Sequence, residues 1–323
     1  MSDATSPKLR RLVIAVWISI FGIGAVMAGA WLWKNPLGPI ASPSMTATGT
    51  ASATIAFTPT STFTPSLTLT PTRTFTPSLT PTVTETPVPF SEGPIPIGTS
   101  VEGRPLQVYR FGTGSVERLI VAGMHGGNEF NTVVLGEELM GYIRLHPETV
   151  PRGVTLYFLH ALNPDGVARS LSYLGRVNSN DVDLNRNWPV GWKKDWNRTG
   201  CWTTTFVTPG KKPGSEPETQ ALMAFVRAHH FSGLINYHSA ALGVFPGGFP
   251  PTDDSKQLAQ AIADISTYSY PPIDTGCEYT GGMVDWTANE GVPSVDLELT
   301  DHTHTDFEMN LKILQMFLEW EPK

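Results

Sequence analysis

The side chains best suited to chemistry sit on a short turn. In the stretch GMHGGNEF, residues 123–130, His125 and Glu129 stand on either side of the pair Gly126-Gly127. Upstream, RLIVAG has the apolar run of a buried strand, and downstream TVVLGEELMGYI has helical spacing. A third metal-competent side chain, His238, closes the strand-like LINYH much later in the chain. Two imidazoles and one carboxylate leave one position open on tetrahedral zinc, the pattern of catalytic rather than closed structural sites. Neither Cys201 nor Cys277 belongs to a CxxC pair, which argues against a structural zinc. Taken alone, a His–Glu pair on a turn is more often a hydrogen-bonded loop than a metal site.

Two further clusters change that balance. RVNSNDVDLNRNWP, residues 176–189, carries Arg176 and Arg186 with asparagines interleaved. Guanidinium groups present a rigid fork that matches a carboxylate, so this pattern suits an anionic group on a substrate. The structural alternative is a loop in which Asp181 or Asp183 pairs with the arginines. In DLELTD, residues 296–301, strand alternation places Glu298 on one face with Asp296 and Thr300, opposite Leu297 and Leu299. A carboxylate there can act as general base beside a metal-activated water. The alternative is an acid at the core edge held in a salt bridge.

These residues need a scaffold, and the chain supplies strands alternating with helices. Strands are expected at 101–112, 117–123, 153–162, 234–240 and 291–299, and helices at 131–146, 215–230, 255–267 and 307–320. The strand at 153–162 runs into the turn NPDG, residues 163–166. Ser215 with Glu218 has the spacing of a capping box at the start of its helix. Such alternation indicates an α/β domain with its sheet covered on both faces, and ligands gather at the carboxyl ends of the strands. That is where the opening motif falls.

Residues 1–90 read differently. Residues 12–33 are apolar without a charge, long enough for a transmembrane helix or signal anchor, and Lys8, Arg10 and Arg11 keep residues 1–11 cytoplasmic. A cleaved signal peptide is the rival, since Ala28-Gly29-Ala30 resembles a cleavage site. Residues 34–90 form a Thr/Pro/Ser-rich linker in which TFTPSLT occurs twice, too poor in apolar surface to fold. Residues 91–323 then form the catalytic domain, placed at the cell membrane on the extracytoplasmic side, or secreted if the segment is cleaved. Two cysteines there can form one disulfide or remain free thiols, with the bridge preferred outside the cytoplasm. The net charge of −7, with no basic cluster in the globular part, argues against nucleic acid.

In order along the chain, the His125/Glu129 pair, NPDG, the run from Arg176 to DLNRNW, SEPET, NYHS, GG-x-x-DW and LELTD resemble the zinc carboxypeptidases of the carboxypeptidase A type. In length the chain is most similar to short bacterial members such as murein-peptide amidases. The likeness spans residues 96–305. It implies a three-layer α/β domain, a mixed central sheet with helices on both faces, and one zinc ion held by His125, Glu129 and His238. Arg176 matches the residue that polarises the scissile carbonyl, Asn185 and Arg186 the pair that grips a free C-terminal carboxylate, and Glu298 the general base. The resemblance thus implies a monomeric zinc metallopeptidase acting on peptides or murein peptides.

Three departures stand out. Relatives usually have His-x-x-Glu, whereas an extra glycine gives His-x-x-x-Glu here, and the arginine often found inside that motif is absent. The family's mobile tyrosine is replaced by Cys277, which leaves Tyr279, two residues on, as its substitute. Val284, before Asp285, favours a pocket for apolar or small side chains over one for basic ones. Two other readings stay open: a murein-peptide amidase or endopeptidase, and an inactive carboxylate-binding module.

Overall fold

The computed structural model describes residues 88–169, 171–201, 207–240 and 242–323. The expected cytoplasmic tail, the apolar span 12–33 and the linker up to residue 87 lie outside the described residues. Among those described, no helix is long and apolar enough to cross a membrane.

The described strands are β1 (Ser91–Thr99), β2 (Pro105–Gly112), β3 (Val116–Val121), β4 (Val154–Leu159), β5 (Phe231–Ser239), β6 (Val244–Pro246) and β7 (Ser294–Leu299). The helices are α1 (Asn131–Leu145), α2 (Pro164–Arg169), α3 (Pro217–Arg227), α4 (Asp253–Asp264), α5 (Met283–Asn289) and α6 (Phe307–Glu319). The strands make one seven-stranded sheet in the order β1-β2-β4-β3-β5-β7-β6. Its centre, β4-β3-β5-β7, is parallel, while β1, β2 and β6 join antiparallel. The parallel strands are nearly continuous apolar runs because both their faces are covered.

Alternation along β3 separates the two layers. Ile120 packs with Leu135 and Leu139 of α1, Ile262 of α4 and Phe317 of α6, whereas Leu119 and Val121 pack with Leu222 of α3 and Trp286 of α5. On β7 the same alternation sends Val295, Leu297 and Leu299 into the first layer. Asp296 and Glu298 therefore face the other way, as the sequence pattern requires.

Three elements depart from the sequence reading. β1 has no counterpart among the expected strands, and it contains Pro94 and Pro96; as an edge strand it needs only one row of backbone donors, so proline is tolerated. β6 has three residues, too few for any period to show. The capping box does not form. α3 starts at Pro217 without a side-chain cap, and Glu218 instead accepts from the backbone N–H of Val101 at 3.1 Å. Buried Glu218 thereby ties α3 to the turn between β1 and β2, a tertiary contact that local spacing cannot reveal.

Candidate metal centre and substrate pocket

β3 ends at Val121, and the chain turns at once into the His125–Glu129 loop. Gly127 takes a φ of +70°, and a Cβ placed there would stand 2.2 Å from the carbonyl oxygen of Ser172. Only glycine fits that position. The loop thus runs close under the 172–176 segment.

The carboxylate of Glu129 sits between the two imidazoles. Nδ1 of His125 lies 3.0 Å from its Oε1, and Nδ1 of His238 lies 3.0 Å from its Oε2. One ligand atom from each of the three residues falls within 4.8 Å of the others, and all three side chains are buried. The far nitrogens are also held. Nε2 of His125 is 2.9 Å from Asp183 Oδ1, and Nε2 of His238 approaches Asn236 at 2.7 Å and Asp296 Oδ1 at 3.6 Å. Polar partners on the outer nitrogen orient a ligating histidine and fix which nitrogen faces the ion. The donor set, two imidazole nitrogens and a carboxylate oxygen, fits zinc with a position left open.

Register places the proposed base. β5 and β7 pair in parallel with His238 opposite Glu298 and Asn236 opposite Asp296. Oε2 of Glu298 is buried and accepts no hydrogen bond. Burial, partly offset by the His238 imidazole, pushes the Glu298 carboxyl up to about 8. Glu129 behaves oppositely: burial raises it, but His125, His238 and Arg176 together hold it well below the carboxylate range.

Asp183 joins the separate motifs. It receives His125, pairs with Arg176 Nε through Oδ2 at 3.0 Å, and caps the turn at Asn185 by accepting its N–H at 3.0 Å. Burial raises its carboxyl, yet Arg176 and His125 outweigh this and hold it well below its usual value. The structural alternative for the 176–189 loop is therefore realised for Arg176 and Asp183, alongside a position in the site. Sequence reasoning noticed Asp183 only as a possible arginine partner. Its multiple contacts had no local signal.

Arg186 makes no ion pair among the described residues. Its Nη1 donates to the carbonyl of Asn185 at 2.9 Å, and its guanidinium lies 5.6 Å from the Tyr279 ring and 5.9 Å from that of Trp196. Asn185 is fixed at both ends, accepting from the N–H of Met283 at 2.9 Å and donating to Asp296 Oδ2 at 3.1 Å. The expected Cys201–Cys277 bridge is formed, and it joins the 190–201 loop to the segment that carries Tyr279. Tyr279 is 42% exposed, stacked edgewise on Phe245.

One cavity of about 920 Å³ is lined by all nine expected residues: His125, Glu129, Arg176, Asn185, Arg186, His238, Tyr279, Val284 and Glu298. The sequence motifs therefore converge on one space at the carboxyl ends of β3, β5 and β7. His302, which reads as part of an exposed turn, also lines it, bonded to Asn128 at 3.1 Å and to Ser239 Oγ at 3.1 Å.

A mixed sheet with helices on both faces and a His/Glu/His cluster beside a buried acid define a metallopeptidase hydrolase. The chain belongs to the zinc carboxypeptidase family, whose model matches residues 93–321. Murein peptide amidase A of Escherichia coli K12 is 29% identical over 243 residues, covering 72% of this chain and 93% of that protein. Bovine carboxypeptidase A1 is 28% identical over 242 residues, but the chain spans only 56% of its length. The solved structure of the murein-tripeptide amidase from Escherichia coli O157 superposes with a TM-score of 0.51 at 26% identity, over 73% of this chain and 94% of that one.

Proposed function

We propose that this domain hydrolyses a peptide bond next to a free chain-end carboxylate, with Glu298 as the proton-transfer group. The observation that carries this reading is the buried, unbonded Oε2 of Glu298, one strand away from His238. A buried carboxylate oxygen without a donor is costly unless the site uses it. An inactive binding module has no need of it.

His125, Glu129 and His238 would hold the zinc ion, which when bound would supply a Lewis acid that lowers the pKa of water from about 15.7 toward 7. Glu298 takes the proton of the attacking water and returns it to the departing amine. Arg176 is fixed by Glu129 at Nη1 and Asp183 at Nε, leaving Nη2 for the oxygen that gains charge at the carbonyl. A cation oriented in advance for that charge is worth several kcal/mol. Arg186 and the Asn185 amide bind the chain-end carboxylate, Tyr279 closes over it, and Val284 contributes pocket wall. The domain acts as a monomer, since one chain supplies every group.

A murein peptide as substrate is favoured by length: the chain covers nearly all of the Escherichia coli amidase and about half of carboxypeptidase A1. We further place the domain outside the cytoplasm, tethered through residues 12–33 and the 34–90 linker, or secreted if the segment is cleaved. The Cys201–Cys277 bridge supports this, because such bonds persist in oxidising compartments. The test is hydrolysis of matched peptides with free and amidated C-termini, alongside murein tripeptides, by zinc-loaded full-length protein. Equal cleavage of free and amidated ends, with no cleavage of murein peptides, overturns the reading.

A further inference from the structure

Arg186 is held by a brace that bond cleavage itself does not need. It is buried and, among the described residues, pairs with no carboxylate; one backbone carbonyl and two ring faces hold its guanidinium. The rings, Trp196 and Tyr279, come from segments far apart in the chain. Trp196 is not among the residues that line the cavity, so it acts on a ligand only through Arg186.

The two segments are tied together at several points. Cys201, five residues after Trp196, is bonded to Cys277, two residues before Tyr279. The Asn197 N–H donates to Glu278 Oε2 at 2.8 Å, and Lys193 Nζ pairs with the same carboxylate. A Cβ on Gly200 would stand 1.9 Å from the carbonyl oxygen of Thr275, so the backbones meet without room for a side chain. The Trp196 ring also meets the Arg198 guanidinium at 4.4 Å, and Arg198 Nη2 donates to the carbonyl of Val207 at 2.7 Å. The polar ties between the segments are exposed, and exposed pairs are weak. The disulfide is the strong member of the set.

We propose that Trp196 positions Arg186 for the chain-end carboxylate, and that the Cys201–Cys277 bond holds Trp196 and Tyr279 in place, so that this grip depends on oxidation. The inference rests on the reading of Arg186 given above. A guanidinium ordered before the ligand arrives binds more tightly than one the ligand must itself order. Both cysteines line the cavity and are half-buried, so a soluble reductant reaches the bond. A dithiol breaks it by exchange: two electrons and two protons pass to the cysteines, and the reductant becomes a disulfide. The metal-binding side chains lie on other segments, so the reduced protein keeps them and loses affinity for free chain ends. In a protein made in a reducing cytoplasm and exported, as proposed above, the grip forms on arrival.

The experiment measures kcat and KM on matched free-ended and amidated peptides with zinc-loaded full-length protein. It compares the wild type, the wild type reduced by a water-soluble phosphine (itself converted to its oxide), the double variant Cys201→Ser/Cys277→Ser, Trp196→Leu and Trp196→Phe. KM for free-ended peptides rises about tenfold in the reduced protein, the double variant and Trp196→Leu, within the range of a desolvated cation–π contact. Their kcat, zinc content and rates on amidated peptides stay within about twofold of the wild type. Trp196→Phe keeps a ring face and restores most of the affinity. An unchanged KM in the double variant or in Trp196→Leu overturns the inference. So does an equal loss on free and amidated peptides, or a loss confined to kcat, since either marks a merely structural role. Where the double variant does not fold, the reduced wild type and Trp196→Leu decide by the same criteria. If the unreduced wild type does not prefer free over amidated ends, the reading of Arg186 itself has failed, and the inference falls with it.

Discussion

At one end of the cavity Glu129 is held by His125, His238 and Arg176 at once, and Asp183 by His125 and Arg176. At the other, Arg186 has no carboxylate and Asp285 no cation within ion-pair reach among the described residues. The first end is cross-braced by its own side chains; the second leaves charges for something else to meet. Reorganisation is costly where bonds are made and broken, so groups there are fixed in advance. Recognition draws on desolvated groups that only the right ligand satisfies. Glu298 belongs to the first end by position but keeps one oxygen unbonded, which is what a proton carrier needs.

Substitutions at the two ends should therefore fail differently. The largest loss is expected for Glu298→Gln: turnover falls roughly 10²–10⁴-fold, the range for a general acid–base group, while zinc content by elemental analysis stays at one per chain. Next, Arg186→Ala should cut kcat/KM on free-ended peptides by roughly two to three orders of magnitude, as expected when a buried charge partner is removed. The same change should barely alter the residual rate on amidated peptides; comparable losses on both would erase the distinction between the two ends. Asp183→Asn leaves the substrate groups in place but loosens His125, so zinc affinity measured by competition with a chelator should weaken about 10- to 100-fold.

The smallest effect is on stability and reads the sign of the Asp285 shift. Its carboxyl titrates at about 7 in the folded chain against 3.8 ordinarily, so between those values the folded state keeps a proton that the unfolded chain has lost. Stability accordingly falls as pH rises through that window. Asp285→Asn removes the loss: its Tm should exceed that of the wild type at pH 8, and the difference should vanish near pH 4. A difference of constant size at both values contradicts the burial of that charge.

Much of the site was legible because its side chains lie in short motifs whose internal geometry is local. Alternation in VDLEL alone put Glu298 and Asp296 on one face, and the arginine-and-asparagine loop marked Arg176, Asn185 and Arg186, all of which line the cavity. The α/β class followed from the apolar periods. What escaped were contacts between motifs. Nothing near Asp183 announces that it spans His125, Arg176 and Asn185, and nothing near Glu218 announces that it reaches Val101 instead of capping its own helix. The edge strand β1 has no counterpart among the expected strands. Such tertiary choices are set by which segments meet, and a window along the chain does not contain that information.

The Cys201–Cys277 bond closes a covalent ring over a sequence separation of 76 residues. His238 lies inside the ring, while His125, Glu129 and Glu298 lie on the arms that leave it. A protease that nicks the backbone once between the two cysteines therefore produces no free pieces. The cut protein migrates as one species until a reductant is added, and until then the three metal-binding side chains stay on one covalent molecule.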